Sequence, residues 1–312
     1  MVRPCVIAVR LATGRKGSGR QVAVERMEGA RAASSKRAGL RPLGRALRAL
    51  IPHAILIVFS AIILLPLLWV FRVSLTDKLT AYKIPPEWTT PHLNNYVEIF
   101  TAYPFATWFL NSVVVALAST AVALPLAVAM AYAFARFDTG GMALRLGVLA
   151  SQMLPPVILV LPLFALFLTA GLLNTHLALI TAHLTINVPF LAWMLVAFFE
   201  GEVKQLEEAA RVEGATRFQA FTRIAVPVAA PGILAAGLLG FILSWNEFLF
   251  ALILSGRQTQ TLPVGLSALE THRGVEIALL AAATLFAVLP VFLLLPFLRK
   301  YLIKGLSLGA LK

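Results

Sequence analysis

Charged and small residues with regular spacing are concentrated in one polar stretch, residues 200–227, which lies between two long apolar segments. An apolar stripe with helical spacing in this stretch is flanked by two carboxylates and a guanidinium. The stripe is formed by Val203, Leu206 and Ala210, and the flanking charges belong to Glu207, Glu208 and Arg211. The chemistry that this pattern favours is recognition of a charged partner surface through ion pairs and close apolar contact.

The same stretch contains the local signals for two short helices. Gly214 can adopt the left-handed conformation that ends a helix, and Thr216 with Gln219 predicts a capping box at the start of the next one. Pro227 ends this second segment before another apolar run begins. From these residues alone, the two helices either lie on lipid headgroups or dock on a protein partner.

Residues for catalysis or metal binding are not arranged in a recognisable pattern. Cys5 is the single cysteine, so the chain has no internal disulfide and no cysteine-based metal site. The five histidines lack metal-ligand spacing, and no metal is predicted. The glycine-rich run 14–19 lacks the spacing of a phosphate loop. A membrane-embedded enzyme needs a paired nucleophile and base, which the apolar segments do not contain.

The composition indicates a membrane protein rather than a soluble one. Of the 312 residues, 59% are hydrophobic and 13% are charged, whereas soluble domains carry about twice that charged fraction. The net charge of +13 suggests nucleic acid at first sight. However, the basic residues are concentrated at the N-terminus and in short loops between apolar blocks, as in oriented membrane proteins.

Six apolar segments are long enough to cross a bilayer as helices, which need roughly 20 residues each. The predicted fold is therefore all-α and polytopic, with six transmembrane helices in a domain of residues 49–312. The predicted spans are residues 51–71, 109–135, 143–170, 176–199, 228–255 and 275–298. Pro155 and Pro156 interrupt the backbone hydrogen bonds of the third span and predict a hinge or a kink there.

The distribution of basic residues predicts that both termini lie in the cytoplasm (N-in/C-in). With this orientation, all but five of the 27 Lys and Arg residues are on the inner side. The five on the outer side are Arg72, Lys78, Lys83, Arg257 and Arg273. Residues 1–48 are predicted to be a basic, disordered cytoplasmic arm that contacts anionic lipid.

The outer segments are less regular in sequence. Thr90 and Pro91 predict an N-cap and a first helical position for a short surface helix over residues 93–100. Residues 171–175 predict a tight turn, and residues 256–274 form the second external loop of useful size.

Polar residues inside the spans are expensive to bury, and each is expected to have a partner. A charge at the position of Glu247 costs about 3 kcal/mol or more in the bilayer, so it should face other helices, water or a partner. Asn111 and His183 are predicted to hold helices together through hydrogen bonds. Four residues either line a solute path or bond helices to each other: Gln152, Asn187, Asn246 and Glu247.

The run Glu208-Ala-Ala-Arg-Val-Glu-Gly214, followed by Ile224-Ala-Val-Pro227, resembles the "EAA" signature of ABC importer permeases. Glu213 stands where that signature has Asp, Val226 where it has Leu, and Val203 where a proline is usual. The chain also resembles the carbohydrate-uptake permeases of the MalG type over residues 50–312. The stretches that carry this second resemblance are Phe109-Leu-Asn-Ser112, Gln152-Met-Leu-Pro-Pro156, Ser244-Trp-Asn-Glu-Phe248, Thr261-Leu-Pro263 and Lys304–Lys312.

This resemblance implies a type I ABC importer permease in the bacterial inner membrane. The implied partners are a second, MalF-type permease subunit, two cytoplasmic ABC ATPases and an extracytoplasmic solute-binding protein, with no nucleic acid. ATP and magnesium are expected on the ATPases, so this chain is no enzyme and binds no cofactor. The rival hypotheses are a secondary transporter or channel not driven by ATP, and an ABC permease for a solute other than a sugar.

The resemblance also assigns expected roles to residues. The ATPase-coupling residues are Glu207, Glu208, Ala209, Ala210, Arg211, Glu213, Gly214 and Ala215. The C-terminal tail that reaches the ATPases contains Ser307, Leu308 and Gly309. The loop that contacts the binding protein contains Gln258, Thr259, Gln260 and Thr261.

Overall fold

The structure of the chain is a computed structural model. It describes residues 50–312 except 86, 88–89, 138–139, 272–273 and 310–312, with the backbone alone at 202, 270–275 and 300–309. The predicted basic arm, residues 1–48, lies outside the described residues. Within the described residues, 50–67 belong to one compact unit and residues from 68 onward belong to a second.

The described chain is built of helices that are long and apolar because lipid provides no partner for free backbone groups. Five helices are long and apolar enough to cross a membrane, and a bent pair can form a sixth span. The spans are α1 (Leu50–Ser74), α3 (Phe105–Phe137), the pair α4 (Gly141–Met153) and α5 (Pro156–Thr169), α6 (His176–Glu200), α8 (Arg217–Trp245) and the part Ile277–Arg299 of α11 (Ile277–Gly309). The predicted all-α fold with six spans is confirmed.

Two of the predicted spans are interrupted. The third predicted span is the α4–α5 pair, which bends by 90° between Met153 and Pro156, so the predicted break at the two prolines is a sharp corner. The fifth predicted span ends earlier than expected, at Trp245, and the short helix α9 (Leu249–Leu254) follows. A continuous helix over residues 228–255 was therefore the wrong prediction.

The short surface helix α2 (Asn94–Ala102) lies close to its predicted place but begins differently. Leu93 occupies its N-cap position without a side-chain bond, so Thr90 and Pro91 do not start the helix as predicted. Instead, Asn95 fixes it by donating to the carbonyl oxygens of Ser74 and Thr76 at 2.9 and 2.8 Å. Contacts from distant residues therefore replace the local cap.

Short elements complete the fold. A 3-10 turn (Thr80–Tyr82) lies between α1 and α2, and α7 (Glu202–Val212) lies in the 200–227 loop between α6 and α8. Between α9 and α11 are α10 (Leu262–Ser267) and the strands β1 (Glu270–Thr271) and β2 (Gly274–Val275). The two strands pair antiparallel, with Glu270 opposite Val275. The predicted turn at residues 171–175 is confirmed.

The centre of the second unit is formed by α3, α6 and α8, which pack along one another. Small residues such as Ala123, Ala127 and Ala131 are fully buried there, which lets helices approach closely as membrane proteins require. At one end of this core, Tyr132 and Phe199 form an edge-to-face ring pair. The 200–227 loop is attached at this end.

Candidate functional site

The 200–227 loop consists of α7, a glycine turn and the start of α8. Gly214 has a φ of 99°, a left-handed conformation that glycine adopts without steric strain. Thr216 then caps α8: its backbone N–H donates to Gln219 Oε1 at 2.9 Å, and the Gln219 N–H donates to Thr216 Oγ1 at 3.3 Å. The predicted helix end and capping box are confirmed, and they close the loop locally.

The inner face of α7 is fixed to the end of α3 by a buried ion pair. Arg136 Nε donates to Glu207 Oε2 at 2.5 Å, and the Tyr132 hydroxyl donates to Glu207 Oε1 at 2.5 Å. The Tyr132 ring in turn contacts Phe221 of α8, with 4.5 Å between centroids. Val203 is also buried on this face. This face of α7 is therefore already occupied by the chain itself.

The other face of the loop is open and carries apolar as well as charged side chains. Val212 is 89% exposed and Phe218 is 75% exposed. Of the predicted coupling residues, Glu208, Ala209, Arg211, Glu213 and Gly214 are exposed, Ala210 and Ala215 are partly exposed, and Glu207 is buried. Glu207 was predicted to contact the ATPase, but its side chain is buried against α3 and is not part of the exposed surface.

Sequence reasoning missed four residues of this site. Val212 and Phe218 were overlooked because their exposure depends on how the loop folds. Arg136 had a signal, since it is one of the few basic residues between the second and third spans. Tyr132 had none, because it lies within the apolar run of α3.

Glu247 lies at the break between α8 and α9, and its carboxylate has several polar partners. Its carboxylate accepts from the backbone N–H groups of Phe250 and Ala251 at 2.9 and 3.2 Å. Its Oε2 also lies 3.4 Å from Nε2 of His183. His183 Nδ1 is 2.6 Å from the Ser244 hydroxyl. A charge in the apolar interior is thus surrounded by polar groups from two helices.

The other three residues predicted as path or helix-bonding groups also lie near α6 or the break. Gln152 Nε2 donates to the carbonyl oxygen of Ile186 at 2.7 Å, next to Asn187. Asn187 is 1% exposed, and its side-chain amide nitrogen has no hydrogen-bond partner within the described part of the chain. Asn246 is exposed and donates to its own helix at Ile242.

The 256–261 loop is held tightly against the ends of α3 and α6. Asn111 Nδ2 donates to the carbonyl oxygens of Gln258 and Gln260 at 2.9 and 3.0 Å, and Asn111 Oδ1 lies 2.9 Å from His176 Nε2. The prediction that Asn111 and His183 bond helices together is confirmed. In both cases, the partner belongs to another element of the chain.

This attachment changes the predicted surface of the 256–261 loop. Thr259 and Thr261 are each 4% exposed, because Asn174 Oδ1 accepts from the Thr259 hydroxyl and the loop backbone turns inward. Gln258 is exposed and Gln260 is half-buried. Two of the four predicted contact residues are therefore unavailable to a partner in this conformation.

The predicted tail residues Ser307, Leu308 and Gly309 form the last turn of α11, which continues to Gly309. Within the described residues, no cluster of three or more His, Cys, Asp or Glu side chains could hold a metal ion.

Comparison with known proteins places the chain in a family. Residues 123–308 match the family described as the binding-protein-dependent transport system inner membrane component. The sulfoquinovosyl glycerol transport system permease of Agrobacterium fabrum is 35% identical over 80% of this chain and 89% of its own. The trehalose transport system permease of Mycobacterium tuberculosis is 34% identical over 80% and 92%.

A solved bacterial ABC transporter, involved in the import of the acidic polysaccharide alginate, has the same fold. One of its chains matches with a TM-score of 0.64 at 20% identity, covering 82% of this chain and 96% of that chain. The predicted type I ABC importer permease fold and the resemblance to carbohydrate-uptake permeases are confirmed. The chain belongs to the family of binding-protein-dependent transport system inner membrane components and is a multi-pass permease subunit of the inner membrane.

Proposed function

We propose that this chain is half of the translocation pathway of an ATP-driven carbohydrate importer, and that the 200–227 loop is its dock for an ATPase subunit. The observation that carries the dock is the pair of apolar side chains Val212 and Phe218, 89% and 75% exposed. They lie on either side of the rigid turn at Gly214. Exposed apolar groups on a rigid knob are typical of a protein contact.

Charge and shape support a protein dock over a lipid-bound helix. The loop exposes Glu208 and Glu213 close to Val212, together with basic residues such as Arg211, and the two carboxylates are disfavoured at the anionic surface of a membrane. Exposed Ala209 keeps the helix thin, so that a groove can enclose it. A partner with charges of both signs at its rim and an apolar floor would match this surface.

The partners of the proposed assembly follow from the family. They are a MalF-type permease subunit, two cytoplasmic ABC ATPases and a solute-binding protein outside the membrane. ATP and magnesium then belong to the ATPases, and this chain binds no cofactor. A solved alginate transporter in complex with its alginate pentasaccharide-bound periplasmic protein has a chain with this fold, with a TM-score of 0.60, which supports the binding-protein partner.

Carbohydrate is the proposed substrate class because several relatives are named for sugar transport. They include the trehalose/maltose transport system permease of Thermococcus litoralis, 30% identical over 82% of this chain. Gln152, Asn187, Asn246 and Glu247 are the proposed polar groups of the path. Gln258 is the proposed contact to the binding protein, and the tail Ser307–Gly309 the proposed second contact to the ATPases.

The proposed orientation has both termini in the cytoplasm. All but five of the 27 basic residues then lie on the inner side, as cytoplasmic loops require. The 200–227 loop is inside and the 256–261 loop is outside in this arrangement. Each surface thus faces the compartment of its proposed partner.

Replacing Val212 and Phe218 with Asp tests the dock. The complex to be purified contains this chain, the second permease subunit and two ATPase subunits. We expect the amount of ATPase that co-purifies with the double variant to fall at least about tenfold, because two apolar contacts of the interface become charged. Leu79→Asp is the matched control, since Leu79 is 81% exposed outside the loop. Full ATPase retention by the double variant would overturn the dock, and uptake of labelled sugars by proteoliposomes tests the substrate class.

A further inference from the structure

We infer that the buried cluster of Glu207, Arg136 and Tyr132 is the linkage that transmits movement of α7 to the membrane span α3. The inference rests on the proposed function, in which an ATPase moves α7. It concerns a different set of side chains from the dock. The dock residues face outward, whereas these three residues lie between α7 and the end of α3.

The geometry of the cluster is that of a clamp. The side chains of Arg136 and Glu207 are 8% and 6% exposed, so water scarcely reaches the ion pair. Both carboxylate oxygens are occupied, one by Arg136 Nε and one by the Tyr132 hydroxyl, at 2.5 Å each. Tyr132 and Arg136 are four residues apart on α3 and therefore present their donors from one helix face.

The connection of α7 to α6 leaves the direction of α7 poorly fixed, because Gly201 precedes the helix with φ −83° and ψ −127° and glycine gives the backbone freedom to turn. At the other end, the turn at Gly214 is closed by backbone bonds from Gly214 to Arg211 and from Ala215 to Ala210, so α7 and the start of α8 move together. The side-chain tie in the middle of α7 therefore holds the helix at its angle to the span.

A buried ion pair is suited to this task because it does not open gradually. Separating the partners would leave an uncompensated charge in a low-dielectric site, which is strongly unfavourable. Pulling on α7 therefore moves the end of α3 with it. Because α3 packs along α6 and α8, the displacement reaches the core of the second unit as a rigid-body movement.

Tyr132 extends the linkage to two further elements. Its ring contacts Phe221 of α8 and Phe199 of α6, with centroid distances of 4.5 and 5.8 Å. The Arg136 guanidinium lies 5.7 Å from the centroid of the same ring. The Tyr132 side chain of α3 is thus in contact with the ends of α6 and α8, where the loop is attached, and with Glu207 of α7.

The test uses the reconstituted complex of this chain with its permease partner, ATPases and binding protein in proteoliposomes. Glu207→Gln and Arg136→Gln each remove one charge, and the exchanged pair E207R/R136E restores a pair of opposite charges. Lys204→Gln is the matched control, because Lys204 is an exposed charged residue of the same helix. The measurements are ATPase retention, and solute transported per ATP hydrolysed.

We expect both single variants to retain the ATPase. The amount of solute transported per ATP hydrolysed should fall on the order of tenfold, a size typical of the energetic coupling between two sites in one protein. The exchanged pair should recover part of this loss, whereas a merely structural role would lower stability and leave the ratio unchanged. Lys204→Gln should behave as the unmodified protein does.

Two results would overturn the linkage: an unchanged ratio in both single variants, or loss of the ATPase from Glu207→Gln, which would make Glu207 a dock residue. Failure of the dock itself is seen separately, in the Val212 and Phe218 variant. If the charge variants fail to fold or to pair with the second permease subunit, so that retention of the ATPase cannot be measured, Tyr132→Phe decides. It keeps the ring contacts and removes one hydrogen bond, so a severalfold lower ratio supports the linkage and an unchanged ratio contradicts it.

Discussion

At the scale of single residues, Glu207 and Glu247 show two ways of accommodating a carboxylate in an apolar protein. Glu207 is neutralised by Arg136 of another helix. Glu247 accepts from the backbone of the next short helix and lies 3.4 Å from His183. The first solution ties two elements together strongly, and the second fixes a break in a span. Each carboxylate thus determines the geometry of the chain around it.

The bond between His183 and Ser244 gives a residue-scale prediction. His183 is 2% exposed, and its replacement with Leu would leave the Ser244 hydroxyl and the Glu247 carboxylate with fewer partners. We expect His183→Leu to lower the free energy of unfolding in detergent by about 1–3 kcal/mol. The measurement is denaturant-induced unfolding followed by circular dichroism.

The control for this prediction is the double variant H183L/S244A. Removing both partners of the bond leaves fewer buried polar groups unpaired than removing one. The double variant should therefore lose less free energy of unfolding than the two single variants lose together. A double variant as unstable as that sum would show that the His183–Ser244 bond does not bring the two helices together.

Sequence reasoning at this scale succeeded where the signal is local. The capping box of Thr216 and Gln219 was predictable because its two residues are three apart in sequence. The ion pair of Glu207 was not, because its partner Arg136 is separated from it by 71 residues. The helical spacing of α7 places Glu207, four residues after Val203, on the buried face and Glu208 off it, but this spacing does not identify Arg136 as the partner.

At the scale of elements, the same contrast explains the errors in helix bounds. Thr90 and Pro91 have the residue types of a helix start, yet α2 begins at Asn94, where Asn95 bonds to Ser74 at the end of α1 and to Thr76 just after it. Pro155 and Pro156 predicted a break, but residue type does not give the angle of 90°. Breaks are encoded locally, whereas the direction after a break depends on packing.

The close approach of α10 to α3 gives an element-scale prediction. A Cβ added at Gly265 would lie 2.1 Å from the ring of Trp108, which is 3% exposed. We expect Gly265→Ala to destabilise the protein by about 1–3 kcal/mol through overpacking. Thermal unfolding in detergent, followed by tryptophan fluorescence, measures this loss.

Gly147 in α4 is the matched control, because a Cβ there has no neighbour within 4 Å. Gly147→Ala should be neutral or slightly stabilising, since alanine favours helix by up to about 1 kcal/mol over glycine. Equal thermal shifts in the two variants would mean that α10 does not press against Trp108.

At the scale of the whole molecule, the polar contacts that hold the 200–227 loop and the 256–261 loop lie at opposite ends of the spans. Glu207 and its partners lie where α6 leads into α7, and Asn111 holds the 256–261 loop on the far side of α8. Because α8 crosses once between the two loops, they must emerge on opposite sides of the membrane. The proposed dock and the proposed binding-protein contact are therefore separated by the bilayer.

This arrangement gives a prediction for the orientation of the chain. In a Cys5→Ser background, which removes the single cysteine, Gln258→Cys and Lys204→Cys introduce labels at exposed positions of the two loops. A membrane-impermeant maleimide added to spheroplasts should label Gln258→Cys and leave Lys204→Cys unlabelled. After permeabilisation, both should react.

The physical reason is the distribution of positive charge, because loops rich in Lys and Arg are retained in the cytoplasm. The 200–227 loop contains four basic residues, Lys204, Arg211, Arg217 and Arg223, whereas the 256–261 loop contains Arg257 alone. Labelling of Lys204→Cys before permeabilisation would show that the orientation of the chain is the reverse of the proposed one. The dock would then face away from any cytoplasmic ATPase, and the proposed coupling would fail together with the topology.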